Sequence, residues 1–259
     1  WAVGVWRTGS RDLRVLVRTT NGGATWRSQS TGITGDLNLK NLTLQEVRFV
    51  DASRGWIVGS YFYSGREHAL ILATRDGGAH WRQQGPRTAD LMLRSVTFTD
   101  AQHGCAVGNH YQGSPAALQR NILTTSDGGA SWQLRDSGVS SGLEAVDFAD
   151  ALHGRAVGSL GSVTTTGDGG VTWTSSTLGQ HEALVGVAFS DVDHGAIAGG
   201  DGSVWRTADG GATWSCQSVE APHLGTAALI PGGDSLWVLQ SEFLGGVPKL
   251  DAPGRHGLA

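Results

Sequence analysis

Short apolar runs of four to six residues recur along the chain, each closed by glycine or aspartate, and no stretch sustains a helical period. Runs of this length, alternating in polarity between Gly and Asp punctuation, predict antiparallel β-strands joined by tight turns. The pattern also repeats. One segment reads V-R-F-V-D-A-S-R-G-W-I-V-G from Val47, V-T-F-T-D-A-Q-H-G-C-A-V-G from Val96, V-D-F-A-D-A-L-H-G-R-A-V-G from Val146 and V-A-F-S-D-V-D-H-G-A-I-A-G from Val187. A second reads T-T-N-G-G-A-T-W ending at Trp26, and returns as T-R-D-G-G-A-H-W, T-S-D-G-G-A-S-W, T-G-D-G-G-V-T-W and T-A-D-G-G-A-T-W ending at Trp81, Trp132, Trp173 and Trp214.

Each unit predicts four strands: an apolar strand, an Asp turn, a second strand ending in Gly, a third strand, the D-G-G turn and a fourth strand opening at Trp. The last tryptophans, at 132, 173 and 214, are 41 residues apart. Four strands in that length make one blade of a β-propeller, and the Trp-Asp pair that closes a WD-type blade is absent. The expectation is one all-β propeller domain over residues 1–259, six or seven blades in all, with units at about 1–29, 45–85, 94–135, 143–176, 185–217 and a partial 226–259. W-A-V-G at the start matches the end of a second strand, which predicts a chain truncated at its N-terminus. K-L-D-A-P-G at 249–254 reads as a decayed turn.

Glycine, with 40 residues, would suggest disorder if scattered, but here it sits at fixed offsets in turns. Within the D-G-G turn, an Asp or Asn oxygen is expected to accept backbone N–H groups two residues on while Gly supplies positive φ. Asn21 stands where Asp76, Asp127, Asp168 and Asp209 stand elsewhere, an interchange that argues against a metal ligand. The following Trp is expected to bury its ring and donate its indole N–H to a carbonyl. His103, His153 and His194 hold one position in successive units, and equivalent positions around a ring diverge instead of converging on a metal. Cys105 and Cys216 fall in different units and read as small buried hydrophobes. No cofactor motif is present.

Recognition is expected where the units differ. The first three carry long segments between their second and third strands, and all three tyrosines, Tyr61, Tyr63 and Tyr111, lie there with Arg7, Arg11, Arg14, Arg66, Arg120, His68 and His110. In antiparallel blades these segments emerge opposite the D-G-G turns, on the same face as the long connection at 30–46. From this set Arg11, Arg14, Tyr61, Tyr63, Arg66, His110, Tyr111 and Arg120 form the candidate partner surface. Charge is divided too: residues 1–130 carry 14 Lys/Arg against 9 Asp/Glu, residues 131–259 carry 5 against 14, and the net is −4. Such a dipole orients a partner. A negative net charge with no recurring aromatic-basic strip speaks against nucleic acid.

The D-G-G pattern, Ser/Thr-x-Asp-x-Gly-x-Thr/Ser-Trp, resembles the Asp-box of the bacterial neuraminidase (BNR) repeat. Combined with V-x-F-x-D-x-x-x-G-x-x-V-G, it is similar to the photosystem II assembly and stability factor family from Trp1 to about Gln240, most closely at the G-W-I-V-G of Trp56 and the L-W-V-L-Q of Trp237. That resemblance implies a non-enzymatic propeller, typically seven-bladed, found in the thylakoid lumen or exported to the bacterial periplasm. It would bind a membrane-complex subunit transiently or as an accessory subunit, with no membrane span of its own. The competing reading is a sialidase-like or xyloglucanase-like glycoside hydrolase, with Tyr61 or Tyr63 beside Glu46 or Glu67 and Asp12 as the acid. The Phe-Arg-Ile-Pro segment expected of a sialidase is missing.

Overall fold

The computed structural model describes residues 1–8, 11–31, 42–85, 90–110, 120–179, 183–218, 224–229 and 236–240, and among these the side chains of 5–14 and of 224 onward are left aside. Among the described residues six antiparallel sheets follow one another along the chain. The first holds β1 (Ala2–Thr8), β2 (Arg11–Arg18) and β3 (Arg27–Gln29). The second holds β4 (Leu42–Phe49), β5 (Gly55–Tyr63), β6 (Arg66–Thr74) and β7 (Arg82–Gln84). The third holds β8 (Leu91–Phe98), β9 (Gly104–His110), β10 (Ile122–Thr125) and β11 (Gln133–Arg135). The fourth holds β12 (Leu143–Phe148), β13 (Gly154–Gly158), β14 (Ser162–Thr166) and β15 (Thr174–Thr177). The fifth holds β16 (Leu184–Phe189), β17 (Gly195–Gly199), β18 (Ser203–Thr207) and β19 (Ser215–Ser218), and β20 (Leu224–Leu229) pairs with β21 (Leu236–Gln240) in the sixth.

Each sheet is an up-and-down meander, and first strands of successive sheets lie side by side, β4 against β8, β8 against β12, β12 against β16 and β16 against β20. This is the blade arrangement of an all-β propeller. The segment at 249–254 falls outside the described residues. The long connection is shorter than the sequence implied, because β4 already begins at Leu42.

The core lies between blades. Ile57 packs toward the first blade with Leu16, Leu70 and Leu72, while its neighbours Trp56 and Val58 pack toward the third with Leu93, Val96 and Phe98. β5 is therefore buried without a break from Gly55 to Tyr61, and β17 along its whole length. Alternation, expected for every strand, is lost in these middle strands because both faces are covered by neighbouring blades. The outer strands β15 and β19 are exposed throughout. Cys216 lies on β19 and is exposed, which corrects its reading as a buried hydrophobe; Cys105 is buried against the fourth blade, and burial pushes its thiol up beyond the usual range.

The repeated letters have separate physical causes. The Phe that closes each first strand lies over the first Gly of the second: a Cβ on Gly55, Gly104, Gly154 or Gly195 would meet the ring of Phe49, Phe98, Phe148 or Phe189. The same ring meets its blade's tryptophan edge-on, at 5.9 Å for Phe98 and Trp132 and 6.1 Å for Phe148 and Trp173. Every first strand from β4 onward has a bulge, between Leu44 and Glu46, Leu93 and Ser95, Leu143 and Ala145, Leu184 and Gly186, and Leu224 and Thr226. In the second, third and fourth blades the closing Gly of the second strand admits a carbonyl beside that bulge: Cβ atoms on Gly59, Gly108 and Gly158 would strike the carbonyls of Thr43, Met92 and Gly142.

In the D-G-G turn, Thr125 Oγ1 donates to Asp127 Oδ1 (2.8 Å) and accepts from Gly129 N (2.9 Å), while Asp127 Oδ1 accepts from Ser131 N (2.9 Å). The carboxylate thus reaches four residues on, not two, because Thr takes the nearer N–H. Asn21 copies this with Thr19 and Thr25, and Gly128 and Gly129 hold φ of 69° and 85°. Among the tryptophans, Trp173 donates its indole N–H to Gly170 O at 3.0 Å. Trp81 and Trp132 are buried, but among the described residues their indole nitrogens have no hydrogen-bond partner, and Trp26 is exposed, so the expected carbonyl bond is not general.

The histidines belong to the other turn. Asp100 accepts the N–H groups of Gln102 and His103, and His103 Nδ1 lies 2.9 Å from its second oxygen; Asp150 with His153 and Asp191 with His194 repeat the arrangement.

Hydrogen bonds from Ser131, Thr172 and Thr213 hold the Asp127, Asp168 and Asp209 carboxyls at about 2, and those from His80 hold Asp76 lower still. A carboxyl depressed below its unfolded value of about 3.9 stabilises the fold above that value and loses the contribution as pH falls through the folded one. The contribution of these carboxyls to the melting temperature should therefore be lost as pH falls between about 4 and 2, with Asp168→Asn flattening that acid limb; calorimetry across that range checks it.

Candidate functional site

In the second blade β5 and β6 pair from Gly55↔Thr74 to Phe62↔Glu67 and Tyr63↔Arg66 around Ser64 and Gly65, and the β4–β5 ladder is described from Phe49↔Gly55 to Leu42↔Tyr61. The tip stands at the end of the blade opposite the D-G-G turn of residues 75–81, as the strand order requires. Arg66 lies 3.4 Å from Asp90, whose backbone N–H donates to Glu67 O. His110 closes the group, with Nδ1 at 3.0 Å from Asp90 O and Nε2 at 3.2 Å from Arg120 O.

The structure thus gathers Tyr63, Arg66, His110 and Arg120 at one end of the second and third blades, with Tyr63 and the Arg66 and Arg120 side chains exposed. Tyr61 is different. It is only 4% exposed, joins the core of Leu42, Leu44 and Leu70, and stacks on His68 at 5.2 Å. Two positions after Gly59 it still faces the first blade, so it supports the hairpin from beneath and is not part of the open surface. Arg11 and Arg14 sit on β2, where Arg14 pairs with Val5 and Arg11 with Thr8; their side chains, and all of Tyr111, lie outside the described residues. The sequence reading did not single out Asp90 and Phe62, which stand beside this group. The S-G pair between Y-F-Y and R-E-H is a hairpin signal that would have placed Phe62 at a tip.

A second charged group lines the inner edge of the blades. Glu46 Oε2 accepts the N–H of Val96 at 2.8 Å, Ser95 Oγ that of Val146 at 3.2 Å, and Asp147 Oδ2 that of Phe189 at 2.8 Å. Each of β4, β8 and β12 thereby satisfies an edge N–H of the next blade. Burial raises the Glu46 and Asp147 carboxyls, and the Arg48 charge partly offsets this at both. Glu67 gives one oxygen to Ser60 at 3.1 Å. Among the described residues no group of three or more His, Cys, Asp or Glu side chains could hold a metal ion, and no helix is long and apolar enough to cross a membrane.

No protein-family model and no curated protein sequence matches the chain. Solved structures do match. YCF48 bound to D1 peptide is 21% identical with a TM-score of 0.56, over 77% of this chain and 61% of that one. YCF48 from Cyanidioschyzon merolae is 21% identical with a TM-score of 0.55, over 83% of this chain and 72% of that one. An ancestral GH74 enzyme is 18% identical with a TM-score of 0.59, over 86% of this chain and 31% of that one. The chain thus spans 61% of the length of the first of these and under a third of the GH74 enzyme. These likenesses show the propeller fold, which is shared by proteins of quite different roles.

Proposed function

We propose that this chain is a non-enzymatic Asp-box propeller that binds another protein, a subunit of a membrane complex, through the face bearing the long hairpins. It acts as an assembly or stability factor or an accessory subunit, in the manner of the photosystem II family that its repeats resemble, and works in an exported compartment, the periplasm or the thylakoid lumen. The observation that carries this reading is the exposed group of Tyr63, Arg66 and Arg120 at one end of the second and third blades, opposite the D-G-G turns. The likeness to YCF48, a structure of which holds a D1 peptide, supports it. Arginine suits the task because its planar fork pairs with carboxylates and stacks on aromatics.

Affinity purification from native membranes with the wild-type chain and with Arg11, Arg14, Arg66 and Arg120 all changed to Glu tests the reading. Capture should be lost while the melting temperature shifts little, since exposed charges contribute about 1 kcal/mol or less each; undiminished capture by the variant would refute the choice of face. The GH74 likeness keeps a hydrolase in view. Xyloglucan or sialoside turnover that disappears in Glu67→Gln or Tyr63→Phe would establish that second reading.

A further inference from the structure

The D-G-G end of the fourth and fifth blades carries apolar side chains that the fold does not use. Leu152 and Val171 are each 53% exposed and Val192 is 41% exposed, and none of the three packs into the cores between blades. Each departs from the repeat. Val171 stands where the other units have Ala24, Ala79, Ala130 and Ala212, Val192 where they have Ala52, Ala101 and Ala151, and Leu152 where they have Ser53, Gln102 and Asp193. A single exposed apolar residue needs no explanation, but three enlarged side chains in adjoining turns of adjacent blades make a surface.

Hydrogen bonds fix these turns beside one another. Leu152 O accepts the N–H of Gly169 at 3.0 Å, joining the Asp turn of the fourth blade to its D-G-G turn, and Asp193 O accepts that of Gly210 at 2.8 Å in the fifth. Arg155, three residues after Leu152, crosses to the next blade and donates to Gly210 O, which links the two pairs of turns. Asp150 Oδ1 accepts the N–H of Leu152 at 2.8 Å and Asp168 Oδ1 that of Val171 at 3.0 Å. The carboxylates that close the turns therefore also fix the backbone from which the apolar side chains project.

Charge selects the occupant. The four turns, 149–153, 167–172, 190–194 and 208–213, hold Asp150, Asp168, Asp191, Asp193 and Asp209 and no Lys or Arg, whereas the same turns of the second blade carry Arg54 and Arg75. Hydrogen bonds from Thr172 and Thr213 keep the Asp168 and Asp209 carboxyls at about 2, and those from His153 and His194 hold Asp150 and Asp191 below the usual carboxylate range, so all four are ionised at neutral pH. Such a surface repels an anionic membrane or a nucleic acid. A chain with cationic and apolar side chains close together satisfies both features at once.

We infer that the D-G-G end of the fourth and fifth blades binds a basic amphipathic segment of a second protein, its apolar side chains on Leu152, Val171 and Val192 and its Lys or Arg side chains on the surrounding carboxylates. This is the face opposite the long hairpins, and the inference stands independently of the proposed function.

A fluorescein-labelled peptide of alternating Lys and Leu, titrated with the purified chain and followed by fluorescence anisotropy, tests it, with Lys-Ser and Glu-Leu peptides of equal length as controls. The wild type is expected to bind the Lys-Leu peptide about tenfold or more tightly than either control, and added salt to weaken that binding. Leu152→Gln/Val171→Ala/Val192→Ala gives the three positions the residues of the third blade. That variant should keep the wild-type melting temperature and bind the Lys-Leu peptide about tenfold or more weakly. Asp193→Gln should weaken binding by a smaller factor. If the triple variant melts well below wild type, Val171→Ala alone carries the test. No binding by the wild type, equal binding by the apolar variants, or a Lys-Ser peptide bound as tightly as the Lys-Leu one overturns the inference. So does a wild-type dimer in analytical ultracentrifugation that dissociates in the triple variant, because the patch would then be a contact between copies of this chain. The variant with Arg11, Arg14, Arg66 and Arg120 changed to Glu separates the two faces: its peptide binding should match the wild type whether or not it still captures a membrane subunit, and loss of peptide binding there would overturn the choice of the D-G-G end.

Discussion

Gly158→Ala should destabilise the protein by about 3 kcal/mol or more, one of the largest losses available from adding a single methyl group. The new Cβ would overlap the Gly142 carbonyl and come within 2.8 Å of Leu143 Cα, both of them backbone atoms that no rotamer change can move. Relief requires shifting the β12 bulge, and with it the packing of Leu143 against the third blade. Gly4 is the internal control. It holds the same place in the W-A-V-G version of the motif, but β1 is an edge strand among the described residues and nothing lies within 4 Å of a Cβ there. Gly4→Ala should therefore change stability by less than about 1 kcal/mol. Urea unfolding of the two variants side by side checks the pair; equal losses would mean that the bulge is not what demands glycine.

Phe98→Ala should cost about 3–5 kcal/mol. Its ring is stacked on Trp56 of the preceding blade and meets Trp132 of its own blade edge-on, so its removal opens a void that belongs to two blades at once. The loss should be shared with the partner: in a double-mutant cycle, Trp56→Ala and Phe98→Ala should couple by more than about 0.5 kcal/mol, whereas Phe98→Ala and Phe189→Ala, two blades apart, should add. The residue lying on the next blade's Phe changes along the chain. Trp1 stacks on Phe49, Cys105 shares a core with Phe148, and Arg155 lies 4.7 Å from the Phe189 ring centroid while donating to Gly210 O.

This last column shows why the sequence was readable in one direction only. Contacts within a unit join residues of the same repeat, so Phe over Gly, Thr and Asp around the D-G-G turn, and Asp beside His leave the same letters at the same offsets, and the four-stranded blade follows from them. Contacts between units join one repeat to the next and tolerate any pair that fills the space. Trp1, Trp56, Cys105 and Arg155 look unrelated in the sequence yet do one job. The upstream half of β4 was hidden for a similar reason: Leu42 and Leu44 sit in D-L-N-L-K-N-L-T-L-Q-E, which lies outside the repeated V-x-F motif and reads as a connection, and only the bulge returns Val47 to register. The structure brings Tyr63, Arg66 and Arg120, which the lengths of the insertions singled out, to one end of the second and third blades. Tyr61 could not be separated from Tyr63 by composition, because their different exposure depends on which of them reaches the core of Leu42, Leu44 and Leu70.

The inner-edge bonds of Glu46, Ser95 and Asp147 give the ring a polarity. In every case the earlier blade provides the acceptor and the later one the donor. A duplicated blade would bring both a side-chain acceptor and a backbone N–H of its own, so copies can be added head to tail without disturbing the bonds on either side. Lineages should therefore be free to gain or shed a repeat while keeping an acceptor on the inner strand.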